Sequence, residues 1–168
     1  LLIAPTGAGK TLAGFLPSLV ALSARPERRP GRKPGEAGSN LHTLYISPLK
    51  ALTTDIARNL DAPISEMGLS LRTETRPCDT PQNRRAPPRS DPPGVLLITP
   101  ESLALMLSYI EAAKIFASLR TVVIDELHAL ADNKRGQLLA LGLSRLATLA
   151  PNARFVGLSA TVADPPAL

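Results

Sequence analysis

A lysine followed by a threonine, after a turn that carries glycines, is suited to holding a polyphosphate. The ammonium lies against phosphate oxygens and the hydroxyl ligates a divalent cation. Ala4-Pro5-Thr6-Gly7-Ala8-Gly9-Lys10-Thr11 has this arrangement. It lies between Leu1-Leu2-Ile3, which reads as the end of a buried strand, and a helix opening at about Thr11. In that setting backbone N–H groups from Thr6 through Thr11, including Gly7, Ala8, Gly9 and Lys10, converge on phosphates at the positive end of the helix. Gly7 and Gly9 are expected to ease that approach by lacking a Cβ. Lys10 reaches the β- and γ-phosphates, and the Thr11 hydroxyl is placed to ligate Mg²⁺. The strict phosphate loop has glycine where this chain has Ala4.

Val122-Val123-Ile124-Asp125-Glu126 places two carboxylates just past an apolar strand. A phosphate-loop enzyme needs an acid there to hold Mg²⁺ through its water shell, the role expected of Asp125. It also needs a group to orient or deprotonate the attacking water, and Glu126 is the candidate. The plainer alternative is that both acids cap the next helix, where negative charge is favoured. His128 follows closely. It reads either as a hydrogen-bonding histidine or as a link from this site to Ser159-Ala160-Thr161 at a neighbouring strand end. His42 is the only other histidine, so metal ligation by imidazole has little support.

The elements that must position these residues alternate. Residues 10–24 carry apolar positions at helical spacing, with Pro17 expected to kink or break the helix. Strands are expected at Leu41-His42-Thr43-Leu44-Tyr45-Ile46, at residues 69–75, at Val95-Leu96-Leu97-Ile98, at Thr121-Val122-Val123-Ile124 and at residues 154–158. Helices are expected through Leu49, Leu52, Ile56 and Leu60 up to a break near Pro63, through Leu103, Leu107 and Ile110, and over 136–149. Strand and helix in alternation mean an α/β fold, a central mostly parallel sheet flanked by helices. Ligands gather at the carboxyl ends of such strands. Each candidate cluster falls at one: Pro5 to Thr11, Ser47 to Lys50, Thr99 to Glu101, Asp125 to His128, and Ser159 to Thr161.

The 168 residues suit one domain. Aromatic content of 3% means a core of Leu, Val, Ile and Ala. The single cysteine, Cys78, excludes an internal disulfide and suits a reducing cytoplasm. No apolar run is long enough for a membrane span. The opening inside a strand, with no initiator Met, reads as truncation. The net charge of +5 is concentrated in two Pro-rich stretches, 25–36 and 76–94, which suit either a polyanionic partner or simple solvation.

Taken together, these motifs resemble those of superfamily 2 helicases. That family writes its loop A-x-x-G-x-G-K-T, which accommodates Ala4, and Asp125-Glu126-Leu127-His128 is a box of the DExH kind. Ser159-Ala160-Thr161 matches the family's coupling motif. Ser47-Pro48-Leu49-Lys50-Ala51-Leu52 and Thr99-Pro100-Glu101-Ser102-Leu103 match segments that grip the nucleic-acid backbone. The wording is similar to the large helicase-related (Lhr) group: Leu44 to Leu52, Asp125 to Leu130 followed by Lys134-Arg135-Gly136, and Gly157 to Val162.

The resemblance implies a RecA-like phosphate-loop NTPase domain over residues 1–168, truncated at both ends, the first of a helicase's two motor halves. It implies ATP and Mg²⁺ as cofactors, and translocation 3′ to 5′ on single-stranded DNA with unwinding of DNA or RNA–DNA hybrid. It also implies DNA contacts at Ser47, Pro48, Lys50, Asp79, Thr80, Thr99, Pro100 and Glu101, with His128, Ser159, Ala160 and Thr161 coupling them to hydrolysis. Pro77-Cys78 stands where the family usually has Thr-Gly, next to Asp79. The arginine that completes the site belongs to the family's second RecA-like domain, so the fragment alone is expected to be nearly inactive. The competing readings are a nucleotide-gated nucleic-acid-binding module without turnover and a transporter-type ATPase, which lacks its signature segment here.

Overall fold

The computed structural model describes residues 1–4, 9–24, 41–66, 73–76, 93–130 and 133–160. Six strands form one sheet: β1 (Leu2–Ile3), β2 (Thr43–Ile46), β3 (Thr73–Arg76), β4 (Val95–Ile98), β5 (Thr121–Ile124) and β6 (Arg154–Ser159). Their order is β1-β6-β5-β2-β4-β3, and each neighbouring pair is parallel. The expected parallel α/β sheet is therefore present. Strands β2 and β4 are buried throughout and β5 nearly so, as their unbroken apolar runs require when helices cover both faces.

Among the described residues, five helices supply that cover: α1 (Lys10–Ser23), α2 (Lys50–Glu66), α3 (Pro100–Leu107), α4 (Ala112–Phe116) and α5 (Lys134–Leu149). Leu44, Ile46, Leu96, Ile98, Val122 and Ile124 turn to one face, where they meet Leu103, Phe116, Leu139 and Leu146 of α3, α4 and α5. Tyr45, Val95, Leu97, Val123 and Leu158 turn to the other, against Phe15 and Leu19 of α1 and Ile56, Leu60 and Ile64 of α2. Alternation along each strand thus builds two cores from one sheet.

Three expectations about helix ends are corrected. Pro17 does not divide α1, which runs through it with the proline on its exposed side. Helix α2 likewise continues past Pro63, because Ile64 extends the buried stripe of Ile56 and Leu60. A buried isoleucine is worth about 1.5–3 kcal/mol, comparable to the cost of an interior proline. Helix α3 stops before Ile110, which is 99% exposed. The Ser108 hydroxyl donates to the Leu105 carbonyl at that end. The apolar pattern of α1 also divides: Phe15, Leu19 and Leu22 are buried, while Leu12, Leu16 and Val20 are exposed on another side. The strand expected over 69–75 is described as Thr73–Arg76; residues 69–72 lie outside the described residues.

Helices α3 and α5 approach closely at Gly142, where a Cβ would stand 3.1 Å from Leu103 Cδ2 and 3.6 Å from Leu107 Cδ1. Gly142→Val is expected to push these helices apart and to cost about 1–3 kcal/mol, as overpacked cores do. Urea denaturation of the purified protein checks this through its midpoint.

Candidate functional site

Parallel register brings the carboxyl ends of the strands into one row. Ile46 lies opposite both Ile98 and Ile124, and Ile124 opposite Gly157. The next residue along β2, Ser47, therefore lies between Thr99 on one side and Asp125 on the other. Backbone bonds extend the ladder past the strands: Ser47 N–H donates to the Ile98 carbonyl and Asp125 N–H to the Ile46 carbonyl. At the other edge, Ala4 N–H donates to the Ser159 carbonyl, so the start of the phosphate loop is tied to the end of β6.

Pro5, Thr6, Gly7 and Ala8 lie outside the described residues. Gly9 caps α1 with φ +73°, and Lys10 opens the helix. A Cβ at Gly9 would meet no atom of the described residues within 4 Å, and its left-handed backbone is the conformation that favours glycine. The Lys10 side chain is buried, and its ammonium donates to the Ala4 carbonyl at 2.5 Å, which braces the two ends of the loop.

Asp125 is 3% exposed. A carboxylate that deep needs donors, and it has two: Glu126 N–H on Oδ1 at 2.9 Å, and the Tyr45 hydroxyl on Oδ2. The Thr11 hydroxyl lies near enough to the Tyr45 phenol to act weakly on it. Burial first, and then the charge of Asp125, pushes the Tyr45 pKa up, so the phenol is a donor at any working pH. Asp125 and Thr11 offer oxygen ligands only, the set that suits Mg²⁺. No cluster of three or more His, Cys, Asp or Glu side chains capable of enclosing a metal occurs among the described residues. A Mg²⁺ ion shared with phosphates and water does not require one.

Glu126 has φ +50° and ψ +42°, the one non-glycine residue in the left-handed region among the described residues. The conformation costs about 1–2 kcal/mol. It turns the chain from β5 directly into a 3-10 turn, Leu127–Ala129, and Ala129 N–H donates back to the Glu126 carbonyl at 2.8 Å. This turn brings His128 Nε2 to 3.1 Å from Glu126 Oε2. On the other side of the ring, Nδ1 accepts from Ala160 N–H at 3.2 Å and lies 3.2 Å from Ser159 Oγ. Because Ala160 N–H can only donate, the neutral ring carries its proton on Nε2 and gives it to Glu126. The two acids therefore do not cap a long helix. His128, Ser159 and Ala160 are brought together, and Thr161 lies outside the described residues.

The residues expected to grip nucleic acid are placed less openly. Ser47 and Pro48 are buried, and Ser47 Oγ has no hydrogen-bond partner among the described residues. Thr99 caps α3, its hydroxyl accepting from Ser102 N–H, and Pro100 begins that helix. Lys50 opens α2, while Asp79 and Thr80 lie outside the described residues. Glu101 is held by Arg135, whose Nε and Nη2 donate to its two carboxylate oxygens at 2.5 and 3.0 Å. Arg135 and Tyr45 were given no such role from their types alone. The one signal for Tyr45 was a lone aromatic in an aromatic-poor chain, in the strand before Ser47.

The Arg135 fork holds the Glu101 carboxyl well below its ordinary 4.5, at about 2. A depressed acid contributes stability that is fully present above pH 4.5 and is lost as pH falls to about 2. The stability advantage of the parent over Glu101→Gln is therefore expected to shrink across that window. Urea midpoints measured at successive pH values test it, and an advantage that stayed constant would contradict the assignment. Both side chains are more than a third exposed, so solvent screens the pair and the advantage is small.

The DEAD/DEAH box helicase family matches residues 1–167. The chain is 46% identical to an Lhr helicase/probable uracil glycosylase of Mycolicibacterium smegmatis, over 98% of this chain and 11% of that protein. It is 39% identical to an ATP-dependent helicase Lhr-Core of Methanothermobacter thermautotrophicus, over 96% of this chain and 19% of that one. Among solved structures, Mycobacterium smegmatis helicase Lhr bound to ssDNA and AMP-PNP superposes with a TM-score of 0.82 at 43% identity, covering 98% of this chain and 21% of that one. The chain thus spans no more than about a fifth of these relatives.

Proposed function

The chain belongs to the DEAD/DEAH box helicase family and to its Lhr group, and on that premise we propose that it is the first motor domain of an ATP-dependent helicase. In this reading the protein moves 3′ to 5′ along single-stranded DNA and opens DNA or RNA–DNA duplexes. A second RecA-like domain of the same longer protein closes on the nucleotide. The RecA-like fold itself is shared with the structural neighbours. The observation that carries the proposal is the row of strand ends, where Lys10 and Thr11 follow the loop beside β6 and Asp125 and Glu126 end β5, with His128 joined to Ser159 and Ala160.

Lys10 neutralises phosphate charge, and the buried Asp125 carboxylate with the Thr11 hydroxyl would hold Mg²⁺. When bound, that ion neutralises charge on the β- and γ-phosphates. Glu126 orients the attacking water and accepts its proton. His128 reports the state of Glu126 to the end of β6 through Ser159 and Ala160, which supports their coupling role. Arg135 is paired with Glu101, and in this reading the arginine that stabilises the transition state comes from the second domain. Such an arginine is worth about 10³–10⁵ in rate.

Glu126→Gln in the full-length protein is expected to keep ATP·Mg²⁺ binding and to lose nearly all turnover. Glutamine keeps the same backbone demand at φ +50°, so the change tests chemistry and not folding. Fluorescent-nucleotide titration and DNA-stimulated phosphate release, measured together, check it. Turnover at the parent rate in this variant would remove Glu126 from its role. A parent that binds nucleotide and DNA but never hydrolyses would leave the nucleotide-gated binding module as the reading.

DNA contact in this proposal runs through phosphates, at the loop ends of Ser47, Pro48 and Lys50, of Asp79 and Thr80, and of Thr99, Pro100 and Glu101. Because Ser47 and Thr99 have buried side chains, backbone groups and the start of α3 carry more of that contact than their hydroxyls. With no tryptophan in the chain and 3% aromatic residues, base stacking has few platforms. The logarithm of affinity for single-stranded DNA is expected to fall linearly with the logarithm of salt, by about 0.7 for each phosphate neutralised, with little sequence preference. Fluorescence anisotropy across a salt series measures the slope. A flat slope would contradict phosphate contact.

A further inference from the structure

Tyr45 lies in the central strand β2, between β4 and β5, and is fully buried. Its register partner on β5 is Val123, two residues before Asp125 and on the same face of the sheet. The ring stacks on Phe15 of α1, with centroids 4.8 Å apart and planes 15° from parallel. Beyond the ring, its hydroxyl donates to Asp125 Oδ2, with the Thr11 hydroxyl nearby. One side chain, out of solvent, therefore holds one residue assigned to the metal and lies near the other.

We propose that Tyr45 is a positioning residue for Mg²⁺: its phenol, with Glu126 N–H, fixes the Asp125 carboxylate in the one orientation that serves the ion. This deepens the ATPase reading and rests on it. Asp125 has two oxygens, each already taking one protein donor. With both donors in place the carboxylate cannot turn about its terminal torsion, so the lone pairs that remain are fixed in direction. Without the phenol, only Glu126 N–H would restrain it, and Oδ2 would be buried without that donor. Outer-shell donors of this kind typically govern metal affinity by about 10- to 100-fold.

The test is Tyr45→Phe in the full-length protein, which keeps the ring and its stack on Phe15 and removes only the hydroxyl. Fluorescent ATP analogue is titrated with Mg²⁺ present and again with the metal chelated. The chelated affinity should match the parent, while the gain conferred by Mg²⁺ shrinks by about tenfold. The Mg²⁺ concentration for half-maximal binding should rise by a similar factor. Phe15→Leu serves as the packing control: it breaks the stack and leaves the hydroxyl, so it should lower Tm with the parent's Mg²⁺ gain intact. A Tyr45→Phe protein with the parent's Mg²⁺ gain would overturn the inference alone. So would a Phe15→Leu protein whose gain fell as far, since general loosening would then explain both. A parent whose nucleotide affinity ignored Mg²⁺ would overturn the reading of the site and the inference with it.

Discussion

Parallel strands joined by helical crossovers all finish at the same edge of their sheet, and every chemical feature of this protein depends on that constraint. Groups as far apart in the chain as Ser47 and Asp125 become neighbours because β2, β4, β5 and β6 are in register. Backbone bonds from Ser47 and Asp125 to the carbonyls of Ile98 and Ile46 carry the ladder one residue beyond the strands. The functional edge is thus as firmly placed as the sheet itself. Loops could not hold a lysine, two acids and a histidine to such tolerances.

At that edge burial and strain are allotted to different residues. Asp125 is buried and doubly hydrogen-bonded, which fixes it. Glu126 is more exposed, sits in left-handed backbone, and meets a histidine that is itself tied to β6. In the proposed reading, a carboxylate that stays charged beside a metal gains from rigid donors. A carboxylate that handles a proton gains from a partner able to release it. Adjacent acids in the chain therefore have distinct environments because one ends a strand and the other turns out of it.

The apolar runs at 95–98 and 121–124 read directly as buried strands, since a strand covered on both faces has little freedom in composition. That Lys10, Asp125 and Glu126 fall at strand ends was legible because the apolar runs before them mark those ends. Helix ends were less so. Proline is a local signal, and at Pro63 the burial of Ile64 outweighed it. Ile110 fitted the helical period of Leu103 and Leu107, yet Ser108 ended the helix first. Leu12, Leu16 and Val20 share a period with one another but not with the sheet, and periodicity alone cannot say which stripe is inside. Tyr45 was read only as a strand residue, because its partner lies eighty positions away and pairing at that range is a property of register.

The stack of Tyr45 on Phe15 also has an optical consequence. These 168 residues contain no tryptophan and two tyrosines, Tyr45 and Tyr109. Near-ultraviolet circular dichroism arises from aromatic rings held in fixed, asymmetric surroundings and vanishes when packing loosens. One of the domain's few chromophores is thus built into the floor beneath Asp125, rigidly packed and bonded to the carboxylate. The domain carries an intrinsic spectroscopic label at its own catalytic edge, where a change in the setting of Asp125 alters the field around a tyrosine without any dye attached.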